Sequence, residues 1–523
     1  MTQGAVPWHP PRLLDCGFSE DPHETHLDCR LIETGGRTLD GPYMTLSHCW
    51  GTVDCLRLTT SNRNRLLNTI AFSSLPQLYQ DAVYVVRRLG VRYLWIDSIC
   101  IIQEGDGLAD WRRQVSLMGD VYSNSFCNIS ASEATDGHHT MFNSREPHLL
   151  LPEVVRYGSD SFLVSDKNLW HTEVSAALLN TRAWVLQERL LSPRILHFGA
   201  HQLFWECHHK DAAEFCADDI LPSLTRSDAV RFKRLIPKQG AEGDGEIKAY
   251  RAWAAIVRAY TACNLTFPSD KLPALSSVAK AMRRMLRDEY VAGLWRRFLE
   301  YELLWSTVSN IIHPPRNIGT TTDQRDSKEM YRCPSWSWAS VDVQVNPGLI
   351  DVESSEILIE VLATHLEYAT EDNTSSIRSG WLQLRGVLKR LSLVPYHSPG
   401  GLHNGAGNWD MYVNGVHVSE TTEFVLREQQ PHVKLDAFHE DFSKQNSEAA
   451  LYCMPGRIRQ GDNGSIYFLL FELLDRGSGI FRRIGLARGW GKAVKAKIMA
   501  RNDDEAAFPC EEYQNGLHSI RVI

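Results

Sequence analysis

Ser47, Asp97 and Glu188 are the residues of this chain best suited to chemistry. Tyr43-Met-Thr-Leu-Ser47 reads as a short strand that stops at His48-Cys49-Trp50-Gly51, so Ser47 and the turn after it stand at a strand end. Asp97 is embedded in Tyr93 to Ile102, an apolar, β-branched run that reads as a buried strand. A carboxylate in such a strand must be paired, capped or functional, because burying an uncompensated charge is costly. Trp184 and Glu188 are four residues apart in a helix predicted over Arg182 to Leu191, which puts them on one face. The plainer reading of Glu188 is a surface carboxylate paired with Arg182 or Arg189.

Other reactive residues make weaker candidates. His48 is adjacent to Cys49, but neighbours on a strand point to opposite faces, so the imidazole is badly placed to activate the thiol. Cys49 and Cys100 read better as free buried thiols. Cys207-His208-His209 with Cys216, and His23, His26 and Cys29, have metal-like composition without the paired spacing of a zinc site, and no metal is expected. Trp336 and Trp338 alternate as strand residues do and read as packing aromatics. There is no P-loop, dinucleotide glycine fingerprint or internal repeat.

These residues must be positioned by a chain of 523 residues, which is too long for one core. The apolar content of 43% and charged content of 23% are those of a globular protein. A net charge of -8 gives no general reason to bind nucleic acid or an anionic membrane. The first residues, MTQGAVPWHPPRLLDCG, do not pair a basic segment with an apolar core, so no secretory signal is expected. Ile466 to Leu474, the longest apolar candidate, contains Glu472 and reads as a buried strand. Twelve cysteines without a CxxC pair suit reduced thiols, and a cytoplasmic location is expected.

Four domains or segments are expected: an extension over 1–42, an α/β domain over 43–210, a helix-rich region over 211–345 packed on that domain, and a β-rich domain over 346–523. In the α/β domain a helix is expected with Ser73 or Ser74 as its N-cap, Pro76 in its first turn and Gly90 just past its end. A second spans Leu108 to Tyr122, and a short strand covers Phe126 to Ala131. The alternation predicts a mostly parallel sheet with helices on both faces. Ligands gather at the carboxyl ends of such strands, where Ser47 and Asp97 lie. A polar stretch from Thr135 to Thr181 interrupts the pattern, and Leu196 to Glu206 reads as a strand or short helix. Lys238 to Glu246 and His313 to Ser327 are loops. Ala249 to Thr261 and Leu275 to Leu304 read as helix-rich. Beyond residue 350, Ile357 to Leu362, Leu382 to Leu393, Met411 to Val418, Phe424 to Leu426 and Ile466 to Leu474 alternate like strands.

YMTLSHCWG (Tyr43 to Gly51), LGVRYLWIDSICIIQ (Leu89 to Gln103), MGDVYSNSFCNISA (Met118 to Ala131) and RAWVLQERLLSPRILHF (Arg182 to Phe198) together resemble the fungal heterokaryon-incompatibility (HET) domain family in order and spacing. LTFPSDKLPALSSVAK, YVAGLWRRFLEYELLW and CPSWSWASVD resemble the region that often follows the domain. His48 is a departure, since the family commonly has an aromatic residue there. HET domains in turn look like distant relatives of Toll/interleukin-receptor (TIR) domains, some of which cleave NAD. That implies a TIR/flavodoxin-like fold.

The resemblance implies nonself recognition ending in programmed cell death. Through the TIR likeness it implies NAD as a substrate rather than a cofactor, with Glu188 as the catalytic carboxylate supporting an oxocarbenium-like ribose. Ser47, Cys49, Trp50, Gly51, Asp97, Trp184 and Gln187 would surround that substrate. The expected partners are NAD, another copy of the chain, or the product of an incompatible allele, with neither nucleic acid nor membrane. Two rival readings are a non-catalytic signalling module that acts by assembly, and an accessory enzyme of secondary metabolism.

Overall fold

Tyr43–Ser47 and Tyr93–Ile96 are buried along their whole lengths. Strands that are apolar on both faces need cover on both, and these two form the centre of a sheet. The computed structural model describes residues 8–17, 27–35, 39–52, 55–146, 153–164, 166, 168–216, 233, 244–308, 331–348, 350–395, 409–418, 432–436, 450–460, 465–489, 496, 498–500 and 502–523. The chain divides into two compact units: Met1–Ile236 with Cys263–Leu265, and Pro237–Ala262 with Thr266–Ile523.

The first unit is built on an eight-stranded sheet. Its strands are β1 (Arg12–Asp15), β2 (Arg30–Glu33), β3 (Tyr43–Ser47), β4 (Tyr93–Ile96), β5 (Asn128–Ser130), β6 (Arg194–Phe198), β7 (Leu203–Cys207) and β8 (Asp211–Ala213), in the order β8-β7-β6-β5-β3-β4-β1-β2. β6, β5, β3 and β4 are parallel, with Ser47 opposite Ser130, Ser130 opposite His197, and Leu46 opposite Ile96. The strands flanking these four are antiparallel.

The whole sheet is therefore mixed, although the four strands it takes from Tyr43 to Phe198, where a mostly parallel sheet is predicted, are parallel to one another. Connection length explains one edge. The four residues between Phe198 and Leu203 allow a hairpin but no crossover to a parallel strand, so Leu196 to Glu206 is two strands. The other edge comes from the first 42 residues, which supply β1 and β2.

The helix α1 (Gln77–Arg88) buries Leu78, Ala82, Val85 and Val86 and stops before Gly90 at φ +68°. It starts later than Ser73 and Ser74, which lie in a single 3₁₀ turn. Leu75 precedes Pro76 and is extended, as the proline ring requires, so the helix begins after the proline. The predicted helix over Leu108 to Tyr122 is two, α2 (Ala109–Val115) and α3 (Met118–Ser123). At the break, Ser116 Oγ bonds the Arg113 carbonyl at 2.7 Å, a local alternative to the helical ladder. α4 (Ala183–Leu191) matches its predicted span to one residue. One continuous apolar core runs from Leu13 and Leu14 through Leu46, Trp95 and Ile129 to Phe198. Within the predicted polar stretch, Glu153–Tyr157 and Asp160–Val164 form a two-stranded hairpin.

The second unit joins the helices Asp244–Tyr260 and Ser276–Leu286 to a 12-stranded sheet. Leu451–Arg459, Ile466–Asp475 and Ile480–Gly489 pair antiparallel in succession within it. The chain beyond residue 350 is β-rich as expected. Helix does not continue to Leu304. After Leu286 the backbone passes through positive φ at Arg287, and Ala292 and Gly293 make the two-residue turn of a small hairpin, Tyr290–Val291 with Leu294–Trp295. Trp336 and Trp338 are buried, but Trp338 opens a 3₁₀ turn instead of lying on a strand. The Arg483 guanidinium lies 3.6 Å over the Trp305 ring and donates to Asp436 at 2.9 Å.

Residues 238–243, His313 to Ser327, Phe424 to Leu426, His23 and His26 lie outside the described residues. Among the described residues no helix is long and apolar enough to cross a membrane, and no three His, Cys, Asp or Glu side chains gather as metal ligands would.

Candidate functional site

Ser47 ends β3, and Asp97 is the first residue beyond β4. Because Leu46 pairs with Ile96, the two stand side by side at the carboxyl edge of the parallel strands. Asp97 was expected inside a strand running to Ile102. The strand instead stops at Ile96, and Asp97 opens one helical turn, Asp97–Cys100, closed by Ile101 N–H to the Asp97 carbonyl at 3.0 Å. Its carboxylate accepts the Ser98 N–H at 2.7 Å, and the side chain is 31% exposed. Turning out of the strand gives the charge water and backbone partners, which resolves the burial problem.

α4 brings Glu188 to the same edge. The Ser47 hydroxyl donates to the Glu188 carboxylate, and the Tyr122 hydroxyl is hydrogen-bonded to it as well. Behind Ser47, Asn128 Nδ2 donates to Ser47 Oγ at 2.9 Å, and Thr45 Oγ1 donates to Asn128 Oδ1 at 2.9 Å. A buried polar chain thus runs from Thr45 through Asn128 and Ser47 to Glu188. Tyr122 and Asn128 escaped the sequence reading. Their signal was faint: a polar residue opening a three-residue strand, and a tyrosine on an otherwise apolar helix face.

Glu188 is only 8% exposed. Burial raises its pKa most, the Ser47 hydroxyl counters this, and the nearby Asp97 charge raises it again, leaving the group at about 7. A carboxyl group poised there exchanges a proton readily at neutral pH.

The turn after Ser47 ties the other candidates together. Trp50 Nε1 donates to Asp97 Oδ2 at 2.9 Å. His48 is buried, with Nε2 3.0 Å from the Tyr79 hydroxyl, which is 2.8 Å from Ser98 Oγ, and Nδ1 3.9 Å from Asp97. Burial holds its pKa low, so the ring is neutral at pH 7. Gly51 has φ +68°, and a Cβ there would come within 2.4 Å of the Asp136 Cβ, so only glycine fits. Cys49 packs with Leu179 and Val185, and burial raises its thiol pKa, so it faces core and is no nucleophile. Trp184 is half-buried and meets Trp111 edge-on at 6.5 Å, while Gln187 is fully buried.

Neither proposed ion-pair partner of Glu188 takes that role. Arg182 Nη1 donates to the His48 carbonyl at 2.7 Å, and Arg189 pairs with Glu206 at 2.7 Å. Glu206 also bonds His197 Nε2 at 3.0 Å, in a buried group to which Lys233 adds positive charge. α4 therefore presents one carboxylate to hydroxyls and one guanidinium to a separate buried charge cluster.

Residues 43–188 match the family described as Heterokaryon incompatibility protein (HET). Residues 43–188 of the first unit are therefore similar to a HET domain. The match begins at the first residue of β3 and ends at Glu188, so it takes in Ser47, Asp97, Tyr122 and Asn128. The sheet extends beyond the matched residues on both sides, through β1 and β2 before them and β6 to β8 after them. No curated protein and no solved structure matches the chain.

Proposed function

We propose that this chain is a heterokaryon-incompatibility protein acting in nonself recognition and programmed cell death, and that its HET domain cleaves the nicotinamide–ribose bond of NAD as TIR-like enzymes do. The observation that carries the reading is the Glu188 carboxyl group, poised near pH 7 and hydrogen-bonded to Ser47 at the carboxyl edge of the parallel strands. In the ionised form it opposes the positive charge that grows on the ribose as the glycosidic bond lengthens. Trp50, Gly51 and Asp97 form the more exposed rim through which substrate would enter, and Trp184 walls the helix side. The test is nicotinamide release from NAD by the purified full chain. Glu188→Gln keeps the shape and removes the charge, so it should lower the rate roughly 10²-fold or more and abolish cell death. Killing without NAD loss, or a fully active Glu188→Gln protein, would refute the proposal.

One observation favours the assembly reading. The hairpin Glu153–Tyr157 and Asp160–Val164 exposes Val155, Tyr157, Phe162 and Val164, with Tyr157 81% exposed. Apolar side chains displayed together suit contact with another protein. Light scattering on the full chain distinguishes the two readings. Under assembly, Phe162→Asp abolishes both self-association and killing, and NAD is never consumed.

A further inference from the structure

Cys16 follows β1 and Cys29 precedes β2. The antiparallel register runs from Arg12 opposite Glu33 to Asp15 opposite Arg30, and one step further sets Cys16 opposite Cys29. The Cys16 N–H goes to the Arg92 carbonyl at 3.0 Å, and the Cys29 N–H to the Ile70 carbonyl at 2.9 Å, so neither amide bonds across the pair. Such non-hydrogen-bonded pairs hold their Cα atoms about 4.5 Å apart, inside the roughly 4.4–6.8 Å that a disulfide spans. Both residues are buried, and the Cys16 thiol donates to the Leu14 carbonyl at 3.8 Å. Arg87 is fixed beside them: it donates to the Cys16 and Leu27 carbonyls at 2.9 and 2.7 Å, and its Nη2 is 3.8 Å from Cys29 Sγ.

The neighbouring Cys16 thiol and the Arg87 charge lower the Cys29 pKa, while burial pushes Cys16 up. Cys29 is thus the nucleophile and Cys16 the resolving thiol. We propose that Cys16 and Cys29 are a redox-active dithiol, which hydrogen peroxide closes to a disulfide across the edge of the sheet. The Cys29 thiolate attacks the O–O bond, taking one oxygen as sulfenic acid and releasing the other as hydroxide, which becomes water with one proton. Cys16 then attacks the Cys29 sulfur and loses its proton, and the sulfenic oxygen leaves as water. Two thiols and one peroxide give one disulfide and two waters. A small-molecule thiol restores the pair. This inference is independent of NAD cleavage.

The reduced full chain is treated with hydrogen peroxide at the dose that half-oxidises the more exposed Cys207, then denatured, alkylated and mapped by mass spectrometry. The expected product is a peptide joining Cys16 to Cys29, reversed by dithiothreitol. Cys100 and Cys127, which burial pushes up to about 12, should react about tenfold more slowly or less. In Cys16→Ser the sulfenic acid on Cys29 should persist and be trapped by dimedone. Oxidised Cys207 with Cys16 and Cys29 still alkylated, or Cys29 linked to another cysteine, overturns the proposal. The wild-type map alone decides this, so a variant that fails to fold does not obscure the answer.

Discussion

Ser47 donates its hydroxyl hydrogen to Glu188, joining the carboxyl end of β3 to the middle of α4 across 141 residues of sequence. A hydroxyl donor favours the ionised carboxyl over the neutral one. Ser47→Ala should therefore move the Glu188 pKa above about 7 and cost about 1–2 kcal/mol of stability. The cost should be larger at pH 8 than at pH 6, because only the ionised acceptor loses the stronger bond. Urea unfolding of the first unit at the two pH values checks this, and an equal cost at both would show that the bond is neutral in character.

Glu188 itself makes stability depend on pH. Its folded pKa, about 7, lies above the ordinary 4.5. Folding therefore favours the protonated form. That contribution is complete below about pH 4.5 and disappears as pH rises through 7. The full shift corresponds to about 3 kcal/mol. Glu188→Gln, neutral throughout, should flatten the stability curve between pH 5 and 8. A wild-type curve with the same slope as the variant's would rule out a buried, titrating Glu188.

Much of this site was legible in the sequence because strand ends and helix spacing are local. Leu46 and Ile96 end apolar runs, and Trp184 with Glu188 needed only the helical period. What lay hidden was non-local. Whether β3 pairs with β5 through Ser47 and Ser130 depends on tertiary register, and so does the meeting of Asn128 with Ser47. The strand containing Asp97 looked longer than it is because Ile99, Ile101 and Ile102 continue the β-branched pattern. The carboxylate wins there by accepting the Ser98 N–H, a competition that propensity does not register. The antiparallel edges were missed for a similar reason, since β1 and β2 precede the first recognisable motif.

The cluster on the far side of α4 should dominate acid sensitivity. Glu206 is buried with Arg189 and His197, and Arg189 and Lys233 hold its carboxyl far below the usual range despite burial. A depressed folded pKa gives stability that is present above the unfolded value and is lost as pH falls. Glu206→Gln leaves Arg189 buried without its counter-charge, at a cost of about 3–5 kcal/mol. Thermal unfolding at pH 7 should show that loss. A shift of under a degree would mean that the pair is dispensable.

Gly51 tests the turn. Alanine there must hold φ +68° and displace Asp136, so Gly51→Ala should cost about 2 kcal/mol or more. Because Trp50 holds Asp97 from the adjacent position, catalysis should fall further than stability does. Comparing nicotinamide release with unfolding at a temperature where the variant is fully folded separates the two effects.

Asp97→Asn probes charge at constant shape. The Asp97 charge raises the Glu188 pKa, while the amide oxygen of asparagine can still accept from Trp50 Nε1 or Ser98 N–H. Removing the charge should lower the Glu188 pKa below 7, opposite in sign to Ser47→Ala. If ionised Glu188 is the active form, the wild-type rate of NAD cleavage should rise through about pH 7. The midpoint of that rise should move to lower pH in Asp97→Asn and to higher pH in Ser47→Ala. The double variant should fall between them if the two effects act on the same carboxyl group. A merely structural role for Asp97 would lower the rate at every pH without moving the midpoint. A midpoint that stays fixed in both single variants would assign the titration to another residue and remove Glu188 from the mechanism.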